Sequence, residues 1–80
     1  MVKAPHPSEI DWTQHVKGLL KAELKYRNKT YADLVLDLHK IGIEETEVNI
    51  RNKIARGMFT AVFFFQCLKA MGVERLELKR

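Results

Sequence analysis

Three polar residues in the second half of the chain, Asn49, Arg51 and Asn52, carry the groups that read base edges. An asparagine amide pairs with adenine and an arginine guanidinium with guanine. Lys53 and Arg56 follow closely, and Lys25, Arg27 and Lys29 lie upstream, all cations suited to phosphate oxygens. Brought to one surface, the set could grip a DNA duplex. The same residues would serve equally well as the solvated side of a small domain, so everything depends on the elements that position them.

No catalytic constellation competes with that chemistry. His6, His15 and His39 are scattered, and Cys67 is the only cysteine, which excludes an intrachain disulfide and a thiolate zinc cluster. Cys67 sits between Phe65 and Leu68 in an apolar run and reads as a buried structural thiol. Asp33, Asp37 and His39 are close in sequence, but Asp33 is better used as a helix cap. The four glycines are too far apart for a phosphate loop. The expectation is a protein that is not an enzyme, with no metal, no cofactor and no small-molecule ligand.

The positioning elements are helices. Thr30 and Asp33 form a capping-box pair, and Tyr31, Leu34, Val35, Leu38 and Ile41 follow at helical spacing, so one helix is expected to end near Gly42. Thr46 is placed to cap a second. There Val48 (or Ile43, from the turn), Ile50 and Ile54 supply the buried stripe and Gly57 the exit. Upstream, the Ser8 and Asp11 pair opens a helix to about Arg27, whose apolar face holds Trp12, Val16, Leu19, Leu20 and Leu24. Its other side carries His15, Lys17, Lys21, Lys25, Arg27 and Lys29. Gly18, in mid-helix, hints at close approach of another backbone.

Thr60 caps a last helix with Val62, Phe63, Phe64, Cys67, Leu68 and Met71 on a broad apolar face. All four phenylalanines lie between Phe59 and Phe65, more than one side of a helix hides, so Phe59 or Phe65 is left to meet a second subunit. Leu76 and Leu78 alternate with charges and predict a short C-terminal strand. It would pair with its own copy in a homodimer, or else the tail packs as an extended segment.

Eighty residues, 46% hydrophobic and 30% charged, suit one globular domain. The expected division is a flexible N-terminal arm over 1–7, rich in proline, and a single domain over 8–80. Ala61 to Phe65 is the longest apolar run, too short to span a membrane, and no apolar leader precedes Pro5, so a cytoplasmic location is expected. The formal charge of +4 favours an acidic partner without demanding one.

Taken in order, L-L-K-A-E-L-K-x-R, T-Y-A-D-L-V-x-x-L, a turn, I-x-x-K-I-A-R-G and F-T-x-x-x-F-x-x-C-L-x-A-M-G-V resemble the lambda-repressor-like helix-turn-helix domains of Cro-type phage repressors. The resemblance covers roughly Leu19 to Val73. The chain is also similar to a small uncharacterised bacterial family with T-Y-A-D-L, N-I-R-N-K and F-F-x-Q-C-L segments. The first resemblance implies an all-α bundle of four to five helices and a sequence-specific DNA-binding protein, a transcriptional regulator of bacterial or phage type acting on double-stranded DNA. It places Tyr31 where the family has a phosphate-clamping glutamine. There are three departures: Val35 stands where the family commonly has a small residue, the turn over 39–45 is long, and that glutamine is absent; in addition Glu44, Glu45 and Glu47 crowd the entry of the helix that should approach phosphate. The alternative is a protein-interaction or dimerisation module that keeps the fold without binding DNA.

Overall fold

Each helix of this protein begins where a short polar side chain can take up a free amide. The computed structural model describes residues 11–78. Its elements are α1 (Trp12–Tyr26), α2 (Tyr31–Lys40), α3 (Glu47–Arg56) and α4 (Ala61–Ala70), an all-α bundle with no strand among the described residues. Thr30 and Asp33 form the full capping box of α2: the Thr30 hydroxyl accepts from the Asp33 amide at 3.1 Å, and the Asp33 carboxylate accepts from the Thr30 amide at 2.9 Å. The Thr30 amide, with further help from the Thr30 hydroxyl, holds the Asp33 carboxyl below its usual range. Thr46 and Thr60 cap α3 and α4 with the hydroxyl alone, which accepts from the Asn49 and Phe63 amides. The start of α1 differs from expectation, because Asp11 is itself the N-cap, accepting from the Gln14 amide. The 1–7 arm and Ser8 lie outside the described residues.

The core is built from Leu20 and Leu24 of α1, Leu34 and Leu38 of α2, Ile50 and Ile54 of α3, and Phe63, Cys67 and Leu68 of α4, with Met71 just beyond. Every one of these lies on a predicted apolar face. Burial pushes the Cys67 thiol up to about 12, so it is inert at neutral pH. Helix α2 packs on α3 and α4, and α1 closes the other side against the same two.

Several apolar residues do not go where spacing put them. Trp12 is 58% exposed, its ring edge-on to His15, because α1 starts there and reaches past its neighbours. Val48 is 59% exposed, and Ile43 from the turn packs on the core instead. Val62 is also turned out, since α4 can bury only one side. The C-terminal segment forms no strand over 73–78; Val73 and Leu76 pack against the core as an extended tail.

The close backbone approach is at Gly57, not Gly18. Around Gly18 nothing lies within 4 Å of where a Cβ would stand. At Gly57, with φ +68°, a Cβ would come 2.7 Å from Thr13 Cγ2 and 3.0 Å from the Thr13 carbonyl oxygen. One residue thus ends α3 in the left-handed region and lets α1 pass over that end.

Candidate nucleic-acid interface

The spacing of Ile50 and Ile54 sets which side of α3 is open. With both fully buried, Val48, Asn49, Arg51, Asn52 and Arg56 are all exposed. Arg51 reaches back four residues and donates to the Glu47 carboxylate at 2.7 Å, a pairing on the solvent side that a phosphate or base edge can outcompete. Asn52 and Arg56, one turn apart, have no side-chain partner among the described residues. The proposed base readers are therefore brought onto one helix surface, and Val48 joins them as an apolar member, because Ile43, the other residue expected to fill that place in the core, packs there.

Lys53 points the other way. Its ammonium donates to Glu45 at 2.5 Å and lies 4.6 Å from the centroid of the Phe63 ring, tying the α2–α3 turn to α3 and α4. The Glu45 side chain is only 10% exposed. The hydrogen bond from Lys53, with smaller help from the Thr46 amide and Asn49, holds its carboxyl below the usual range. Of the three glutamates at the entry of α3, then, Glu45 is folded in against Lys53 and Glu47 is paired with Arg51. Glu44 is highly exposed, 3.3 Å from His39 Nδ1.

The remaining cations line α1 and its junction with α2. Lys17 donates to the Ala55 carbonyl at 3.0 Å, capping the negative end of α3 with a positive charge. Lys21 and Lys25 follow at successive helical turns and have no partner among the described residues. They lead to a groove of about 490 Å³ at the start of α2, lined also by Asn28, Lys29, Thr30 and Tyr31. Asn28 takes φ 56° to make the sharp turn there. The amides of Tyr31 and Ala32 remain without an acceptor, the normal state of a helix start and a ready place for an anion.

Two of the expected phosphate contacts are already engaged at this junction. Lys29 donates to the buried Asp37 carboxylate at 2.6 Å, and Arg27 pairs with Glu23 at 3.3 Å. Asp37 thus serves as an anchor for the α1–α2 turn. Nothing in the local sequence distinguished it, because its partner lies eight residues away across that turn.

Of the residues considered for contact with a second subunit, Phe59 is packed within the chain, its ring 5.5 Å from that of Phe63 and 5.9 Å from that of Phe64. Phe65 is 67% exposed, Leu76 lies partly buried against the core, and Leu78 is exposed. Among the described residues no helix is long and apolar enough to cross a membrane.

A family model described as a domain of unknown function, DUF6471, matches residues 12–76, which is the whole four-helix unit, and the chain belongs to that family. No curated protein and no solved structure matches the chain.

Proposed function

We propose that this member of the DUF6471 family is a cytoplasmic, sequence-specific DNA-binding protein, a transcriptional regulator of bacterial or phage type that works as a homodimer on double-stranded DNA. The observation that carries the reading is the open face of α3, with Asn52 and Arg56 exposed beside Arg51 and unpartnered among the described residues. Its C-terminal end is held by Lys17, the first of a lysine row that climbs α1 to the free amides of α2. A helix with polar readers, flanked by unpaired cations and a helix start, has the parts that hydrogen-bond base edges and hold phosphates on either side.

The roles divide by geometry. Asn52 and Arg51, with Asn49 at the first turn, face base edges, and Val48 offers its methyl groups to a thymine methyl. Lys21, Lys25, Arg56 and the Tyr31 amide take phosphates. Lys53 and Lys29 act from inside, holding the turns. Pairing of Glu45 with Lys53 removes one of the three glutamate charges at the helix entry from the path of a phosphate, and Glu47 stays against Arg51 until a base edge displaces it.

The test is binding to a random duplex pool over a range of salt, followed by enrichment sequencing. Expected are affinity that falls with salt and an enriched motif that Asn52→Ala relaxes. Lys25→Ala should instead weaken all sequences alike and lower the salt slope by about one. Absence of salt-sensitive binding at low ionic strength would refute the proposal. It would favour a protein-interaction module, the reading to which the exposed Phe65 and Val62 lend support.

A further inference from the structure

Eight of the ten residues of α4, AVFFFQCLKA, are apolar, and a helix apolar on all sides is ordinarily covered on all sides. Here Phe63, Cys67 and Leu68 face the core while Val62 and Phe65 stand in solvent. Beside Phe65 runs a groove of about 700 Å³ between α4 and the tail, floored by Phe64, Leu68, Val73 and Leu76. We infer that this groove, with Phe65 on its lip, is the surface through which two copies of the chain pair about a two-fold axis, Phe65 of each entering the groove of the other.

The occupant follows from what the patch contains. A two-fold interface must be complementary to itself, so projection and recess have to lie on the same surface. Phe65 and the groove satisfy this, since Phe65 itself forms part of the groove wall. The charges agree: Lys69, Glu74 and Arg75 line the same groove with both signs present, so each Glu74 can meet a cation of the other copy.

Phe65 exposes about two-thirds of a surface that amounts to roughly 150–250 Å² for an aromatic side chain. Even with Val62 and the groove floor, the patch is modest against the roughly 800 Å² per partner of a standard interface. The dimer is therefore weak in free solution, in the micromolar range, and completed when two copies occupy adjacent half-sites. This last consequence rests on the DNA-binding reading, whereas the interface does not.

Sedimentation equilibrium of the full chain, from low micromolar to near-millimolar concentration, tests the interface. The wild type should show a reversible monomer–dimer equilibrium. Phe65→Glu should weaken it by on the order of a hundredfold or more, because a central aromatic is lost twice per dimer, with helical circular dichroism unchanged. Val62→Lys should weaken it likewise, while Trp12→Lys, on an exposed aromatic elsewhere, should leave it intact. A wild type that stays monomeric throughout, or a Phe65→Glu variant that dimerises as the wild type does, would overturn the inference. Binding to random duplex separates the two claims: loss of duplex binding by the wild type would sink the DNA reading while a Phe65-dependent dimer still stood.

Discussion

Replacing Glu45 by glutamine should loosen the contact that fixes the long α2–α3 turn. The carboxylate is nearly covered and receives the Lys53 ammonium at 2.5 Å, but the Lys53 side chain keeps 41% of its surface in solvent. The pair therefore lies between exposed pairs, worth about 0.2–1 kcal/mol, and buried ones, where losing one partner costs about 3–5 kcal/mol. Because the freed ammonium can hydrate, the expected loss is about 1–2 kcal/mol, and the Gln side chain retains a weaker acceptor for Lys53 and Thr46. For a domain of this size that lowers Tm by roughly 4–16 °C. The pH dependence has a definite sign. The Glu45 carboxyl titrates below its usual 4.5 in the folded protein, so its contribution is complete above that value and lost as pH falls through the lower folded one. The gap in Tm between wild type and E45Q should be widest at neutral pH and close under acid conditions; the lowered Asp33 carboxyl is common to both proteins and drops out of the difference. Thermal unfolding followed by circular dichroism from pH 7 down to about pH 2.5 measures this. Equal Tm values at neutral pH, or a gap of the same size at both ends of the range, would refute the assignment of Glu45 to a stabilising ion pair.

The glycines give a paired outcome. Gly18→Ala should stabilise the protein by about 0.5–1 kcal/mol, because α1 is helical there and the added methyl meets open space. Gly57→Ala should cost on the order of 2–4 kcal/mol, from the left-handed backbone together with the collision with Thr13; denaturant unfolding of both variants checks the opposite signs. For Val48, the enriched site synthesised with uracil in place of thymine should bind the wild type about 3–10-fold more weakly, the loss of one apolar methyl contact, and Val48→Ser should no longer distinguish the two duplexes. A wild type indifferent to the methyl would remove Val48 from base reading.

The helices were legible because their determinants are local. Thr30 with Asp33, Thr46, Thr60 and the terminator Gly57 act within a few residues of the groups they satisfy, and a stripe such as Leu34 and Leu38 follows from 3.6 residues per turn. The candidate face of α3 was legible for the same reason: once Ile50 and Ile54 go in, Arg51, Asn52 and Arg56 must come out. Periodicity failed at helix edges. Val48 and Trp12 sit near the boundary of a stripe, where the choice between core and solvent depends on what stands opposite. Ile43 filled the place open to Val48, and Trp12, edge-on to His15, is left more than half exposed.

By itself, then, the sequence determined the four helices, the ends of α2, α3 and α4, most of the core and the polar face of α3. The tertiary structure decided which charges remain free to act. Glu45 with Lys53, Lys29 with Asp37 and Lys17 with the Ala55 carbonyl are pairings across turns or between helices, set by how the elements pack. A cation's availability depends on the nearest anion in space, and no spacing rule within one helix supplies that distance. Packing also placed the demand for a bare backbone at Gly57, where α1 crosses, and left one side of α4 uncovered, because four short helices offer too little surface to enclose an element that is apolar all round.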